Sequence, residues 1–236
     1  MFISRPRRFG KTLLVSTFES LFRNGIRDFK GLAIETLWTD KTYKVVRLDF
    51  SEIKDYSSEA DFLSKFYDQL LRKFRQAGFD YEEKNGLFMG QVSAWLSSLP
   101  PSSLVILIDE YDAPLTASLD DLELFDRIRS AMSAFFQVLK SNEGCLRFFF
   151  MTGITKYRQT SIFSEFNFFD DISLNRAYGT LIGYTEEEIK NYFSYYLNEA
   201  KLQLELDEDE IVDQLRKNYD GFSFDQEAAT HVFCPW

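Results

Sequence analysis

Two cysteines and a single histidine are all that this chain of 236 residues offers to soft metals or to cross-linking. Cys145 and Cys234 stand far apart and His231 is the lone imidazole, so no zinc-ligand spacing can be assembled from them. So few thiols in a chain of this length fit a reducing, cytoplasmic compartment. Long hydrophobic runs are missing too. The longest, Leu104–Ile108, is five residues, against the ~20 that cross a bilayer. Met1-Phe2-Ile3 runs straight into arginines, which is not a secretory signal. No membrane partner is therefore expected. Excess positive charge is lacking as well: the net charge of −10 excludes sequence-blind nucleic-acid binding by the whole surface.

Aromatics are abundant, with 25 Phe and 12 Tyr, enough for a substantial core in one large domain or a domain with an appendage. The basic residues are uneven. Arg5, Arg7, Arg8 and Lys11 crowd one turn in Ser4-Arg5-Pro6-Arg7-Arg8-Phe9-Gly10-Lys11-Thr12. A basic cluster in an acidic chain points to an anionic small ligand. Gly-Lys-Thr, preceded by a short apolar piece and followed by Leu13, Leu14, Phe18, Leu21 and Phe22 at helical spacing, has the order of a strand, a phosphate-binding loop and a helix. Gly10 lets the backbone approach a phosphate. The amides of Arg8 to Thr12 can point inward as a nest at a helix N-terminus. Lys11 would reach the β- and γ-phosphates, and the Thr12 hydroxyl would ligate Mg²⁺. The expected nucleotide contacts are Arg7, Arg8, Phe9, Gly10, Lys11, Thr12 and Leu13. One position departs from the motif G-x-x-x-x-G-K-[ST]: its first glycine is Arg5, and Pro6 follows, pushing Arg5 towards extended backbone.

Along the chain, the periodicity predicts helices over about Lys11–Arg23, Ser58–Ala77, Asn85–Leu99 and Asp120–Lys140. Strands are expected at Tyr43–Phe50, Leu104–Ile108 and Leu146–Met151, with a weaker one near Thr180-Leu181-Ile182. Thr185-Glu186-Glu187-Glu188 is a capping box and predicts a helix to about Asn198; another should run over Glu208–Asn218. Strands alternating with helices imply an α/β doubly wound, mostly parallel sheet of five strands. The expected division is a core over 1–184 and a helical lid or appended subdomain over 185–236.

Asp109-Glu110-Tyr111-Asp112 follows the buried run at once. Acids at the carboxyl end of a central parallel strand lie where such sheets bind ligands. Asp109 would hold Mg²⁺ beside Thr12, and Glu110 would act as general base on the attacking water. The strand after it ends in Thr152-Gly153-Ile154-Thr155-Lys156, which makes Thr152 a candidate γ-phosphate sensor and Thr155 the second choice. Lys156, Arg158 and Arg176 are candidate transition-state cations. The aromatic stretch Ser161–Phe169 is expected to fold back on the sheet. No guanine-reading Asn-Lys-x-Asp motif is present, which favours ATP.

Phe2–Thr12, Leu107–Asp112, Phe150–Lys156, Ser161–Ser164 and Gly183–Glu188 together resemble the AAA-ATPase-like proteins related to the STAND and archaeal-type P-loop ATPases. The resemblance covers nearly the whole chain. It implies a P-loop NTPase fold of the ASCE type, in which the first motif glycine is replaced as at Arg5. It also implies ATP and Mg²⁺ as ligands and hydrolysis of the β–γ bond in a conformational switch. Members often carry a C-terminal nuclease-like domain of the PD-(D/E)xK type, whose acid and lysine cluster is not found here. The ending Phe233-Cys234-Pro235-Trp236 reads as cut inside a longer pattern, so a nucleic-acid or protein partner would act through missing domains. The alternatives are a nucleotide-binding scaffold with little hydrolysis and a small-molecule kinase.

Overall fold

The computed structural model describes residues 1–157 and 170–235. Every residue of Leu104–Asp109 (β3) is buried, as an unbroken aliphatic run requires of a strand covered on both faces. Lys44–Asp49 (β2) pairs on one side of it and Leu146–Gly153 (β4) on the other. The short Phe2–Ser4 (β1) lies beyond β4, which gives the order β1-β4-β3-β2 with every neighbouring pair parallel. In register, Ser4 faces Gly153 and Asp49 faces Asp109, so the carboxyl ends of all four strands share one edge.

Helices cover both faces because β4 alternates its side chains across the sheet. Phe149 and Met151 join the core made with Glu59–Gln76 (α3), Phe88–Ser98 (α4) and Leu122–Ser141 (α6). Phe148 and Phe150 instead meet Phe18 of the first helix, Lys11–Asn24 (α1), at 5.3 and 4.9 Å between ring centroids. α2 is the short Ile34–Leu37, and α5 the short Ala113–Ala117. Phe62, Phe66, Leu70 and Phe74 recur every four residues on α3 and are buried as one stripe; Phe66 meets Phe135 of α6 edge-on at 5.6 Å. Each such side chain stabilises the fold by roughly 2–3 kcal/mol through burial alone. Ser58 and Asp121 cap α3 and α6, accepting from the amides of Asp61 and Leu124.

The chain divides into two compact units: Met1–Ser4 with Thr12–Asp170, and Arg5–Lys11 with Asp171–Trp236. The second contains three helices, Glu186–Tyr192 (α7), Ser194–Leu204 (α8) and Glu208–Tyr219 (α9). Both Thr185/Glu188 and Asp207/Glu210 form capping boxes. Ile189, Leu197, Ile211 and Phe233 make its core, and single antiparallel bridges join Tyr184 to Phe233 and Phe222 to Val232.

Two expectations are corrected. The sheet has four strands among the described residues, not five. Thr180-Leu181-Ile182 lies in turns and bends between Gly179 and Gly183, whose φ of 99° bends the chain after only three residues. The helix expected from Thr185 to about Asn198 stops at Tyr192. Phe193 has φ −107° and ψ 16°, outside the helical region, and α8 starts afresh at Ser194. Ser161–Phe169 and Arg158 lie outside the described residues. No helix among the described residues is long and apolar enough to cross a membrane.

Candidate functional site

At the carboxyl edge of the sheet, Asp109, the last residue of β3, meets Thr152, the last but one of β4. Both are buried, Asp109 at 1% and Thr152 at 0% exposure. The Thr152 hydroxyl donates to Asp109 Oδ1 at 2.5 Å and accepts the Glu110 amide at 3.3 Å. Thr152 thus bridges the two acids through one hydroxyl, using its single donor and one of two lone pairs. Asp109 Oδ2 is buried and has no hydrogen-bond partner among the described residues. An orphaned carboxylate oxygen is a place for a cation or a water held by one.

Glu110 adopts φ 49°, a left-handed conformation uncommon outside glycine. That kink turns the chain away from the strand direction immediately after Asp109. Tyr111 and Asp112 then hold the segment that follows β4. The Tyr111 amide donates to Thr152 O at 3.0 Å and its hydroxyl to Thr155 O at 2.8 Å. Asp112 Oδ2 accepts the amides of Ile154 at 3.0 Å and Thr155 at 2.8 Å. Gly153 makes this possible: a Cβ there would lie 2.6 Å from the Tyr111 ring and 2.9 Å from Asp112 Oδ1. Sequence reasoning missed Tyr111, Asp112 and Gly153 as a clamp. The available signal was a second Asp three residues after the first, opposite a strand ending in glycine.

The Arg5–Lys11 loop departs from the sheet after Ser4 and rejoins that unit at Thr12, in the first turn of α1. Arg8 with φ 70° and Gly10 with φ 87° are both left-handed. The buried Lys11 ammonium donates to the carbonyls of Arg5 at 3.0 Å and Pro6 at 2.9 Å. Arg7 and Arg8 are exposed, as are Thr12 and Leu13, the latter at 70%. Phe9 is buried with Phe224 and Val232, so its backbone amide, not its ring, is what a phosphate could reach. Arg176 pairs with Glu227 at 3.3 Å on the surface.

Oxygen donors suit magnesium, which takes one or two protein groups and fills the rest of its octahedron with water and phosphate. Thr12 and Asp109 are such groups. Among the described residues no group of three or more His, Cys, Asp or Glu is placed to hold a metal ion.

Residues 1–163 match the family described as "Predicted AAA-ATPase". The chain belongs to that family. It is also 30% identical over 236 residues to an "Uncharacterized protein in vnfD 5'region" of Azotobacter chroococcum mcd 1; the alignment covers 98% of this chain and 43% of that relative. The chain therefore spans less than half the length of the curated protein it matches. No solved structure matches it. The family match ends short of Asp171–Trp236 and takes in Gly10-Lys11-Thr12, Asp109, Glu110 and the end of β4.

Proposed function

We propose that this AAA-ATPase family member binds Mg–ATP and hydrolyses its β–γ bond, working as a conformational switch. The observation that carries the reading is the Asp109 carboxylate. Thr152 orients one of its oxygens, and the other is buried without a partner among the described residues. It stands at the carboxyl edge of a parallel sheet whose first strand leads into Gly-Lys-Thr. Strand β4 stands between that first strand and the acidic one, which supports the ASCE type.

In this reading the amides of Arg8 to Thr12 and the Lys11 ammonium hold the phosphates. Thr12 and Asp109 would hold the metal, which would supply neutralisation of the charge that develops on the phosphates. Glu110 takes a proton from the water that attacks the γ-phosphorus. Thr152, expected as a γ-phosphate sensor, spends its one hydroxyl proton on Asp109, which supports a positioning role for it in this reading.

Phosphate release separates this from a scaffold that binds nucleotide without turnover. Glu110→Gln should keep Mg–ATP affinity within about twofold and lower kcat by about 10²–10⁴-fold, the range of a general base. Unchanged turnover in that variant rejects Glu110 as the base, and wild-type protein that binds Mg–ATP and releases no phosphate rejects the hydrolase. Radiolabel from γ-labelled ATP arriving on anything but water would instead mark a kinase.

A further inference from the structure

Arg5–Lys11 groups with Asp171–Trp236, not with the strand before it or the body of the helix after it. The residues responsible are specific. The Arg5 guanidinium is 1% exposed and donates to the carbonyls of Ser173 at 2.7 Å and Tyr178 at 2.9 Å. It lies over the Phe224 ring, 4.0 Å from the centroid. Burial lowers its pKa to about 10, opposed by the negative charge of Asp171, so it remains a cation at neutral pH. Its own carbonyl accepts the Lys11 ammonium. One residue thus ties the loop to the C-terminal unit through its side chain and holds the phosphate-binding lysine through its backbone. At the loop's other end, Phe9 packs edge-on against Phe222 at 4.8 Å and Phe224 at 5.2 Å. Phe222 is in turn bridged to Val232.

We propose that Arg5 and Phe9 are positioning residues for nucleotide, so that the C-terminal unit sets the shape of the phosphate loop and hence its affinity. The inference rests on the phosphate-loop reading above. A glycine at position 5 would leave the loop's conformation to local backbone preferences. An arginine with two directional bonds to carbonyls, both more than 160 residues away in sequence, hands that choice to the C-terminal unit. Anything that loosens Ser173–Tyr178 or Phe222–Val232 then loosens the nest at Arg8 to Lys11. By linkage, a nucleotide that orders the loop must also steady those segments.

The test measures Mg–ATP dissociation constants for Arg5→Met, Phe9→Ala and Phe9→Leu, each confirmed folded by circular dichroism. Ile189→Ala serves as the control: it sits in the C-terminal unit's other apolar cluster, with no place in the loop's own. Lys11→Ala reports on the underlying reading. Arg5→Met and Phe9→Ala should weaken Mg–ATP by about tenfold or more, with Phe9→Leu recovering most of it and Ile189→Ala binding like wild type. If Lys11→Ala loses Mg–ATP while Arg5→Met and Phe9→Ala stay within about twofold of wild type, the loop reading stands and the positioning role is overturned. If Ile189→Ala weakens binding as much as they do, general loosening is the cause and the role is overturned too. If wild type and Lys11→Ala both fail to bind, the loop reading falls and takes this inference with it. Hydrogen exchange on the wild-type protein covers variants that do not fold. Mg–ATP should slow exchange at Phe222–Phe224 and Val232 as well as in the loop, and protection of the loop alone overturns the proposal.

Discussion

Thr152→Val keeps the shape of the side chain and removes only its hydroxyl, which makes it the sharpest probe of the sheet edge. The lost bond has a charged acceptor, for which the net value is about 1.5–3 kcal/mol. Here the upper end applies. Asp109 is buried and Oδ2 has no partner among the described residues, so Oδ1 loses its bond from Thr152 with nothing on the other oxygen to compensate. The Glu110 amide also loses its acceptor, though at 3.3 Å that bond is the weaker one. A loss of about 3 kcal/mol follows, or roughly 1 M off the urea midpoint at an m-value near 2–3 kcal/mol/M. Thr152→Ser retains the hydroxyl and gives up one methyl, about 0.5–1.5 kcal/mol. The contrast between the two variants is thus about 2 kcal/mol and belongs to the hydroxyl. Urea unfolding at constant m measures it. Adding Asp109→Asn to Thr152→Val should cost less than Asp109→Asn alone, with a coupling of about 1–2 kcal/mol. Val and Ser variants of equal stability, or a coupling of zero, would refute the account of Thr152 as the group that orients Asp109.

Gly153→Ala drives a methyl into the buried Tyr111 ring and should cost about 1–3 kcal/mol, whereas Gly90→Ala, exposed on α4 with open space around it, should add about 0.5–1 kcal/mol; thermal midpoints moving the same way for both would contradict this. Burial pushes the Cys145 thiol up, so less thiolate is present at a given pH and alkylation by iodoacetamide at pH 8 should mark Cys234 well before Cys145, with both reacting alike in urea. Asp225 accepts the amides of Glu227, Ala229 and Thr230 and the Thr230 hydroxyl, and these bonds hold its carboxyl below the ordinary 3.8. A folded-state pKa below the unfolded one contributes stability above about pH 4 that is lost as the pH falls further. Acid unfolding of Asp225→Asn should accordingly show a shallower pH dependence below pH 4 than wild type, and an unchanged slope would exclude this carboxylate as a contributor.

The parts of the fold legible in the sequence are those whose signal is local and redundant. Leu104–Ile108 is apolar at every position and became the fully buried β3. The four-residue recurrence from Phe62 to Phe74 became the buried face of α3, and Ser58 capped it as its residue type suggests. Thr180-Leu181-Ile182 carried a shorter and weaker signal, with two aliphatic residues after a threonine. A strand exists only where a neighbour completes its ladder, and no partner for these three residues is written in their own sequence. The interruption at Phe193 was hidden for a related reason: aromatic residues continue a helical pattern whether or not the backbone does. Pro114 near the start of α5 was a signal that could have been used, since proline is favoured in a first helical turn.

At the candidate site the same distinction holds, with a consequence for function. Gly10, Lys11, Thr12, Asp109 and Glu110 could be proposed from residue type because phosphate and magnesium chemistry admits few alternatives at each place. Arg5 could be recognised only as a departure, because its partners, the carbonyls of Ser173 and Tyr178, are backbone groups that any residue would supply. A contact of that kind leaves no pattern at either end. Asp112 and Gly153 are alike in this respect: each is explained by atoms about 40 residues distant, not by its neighbours. Where the motif calls for glycine, the loop would draw its shape from local freedom; with Arg5 and Phe9 it draws that shape from the packing of the C-terminal unit. The family match stops at residue 163, short of Ser173, Tyr178, Phe222 and Phe224, the partners of Arg5 and Phe9. On the proposed reading, a protein cut at that boundary would keep every motif residue, Arg5 and Phe9 included, and lose the groups that hold those two, so its Mg–ATP affinity should fall as in Arg5→Met.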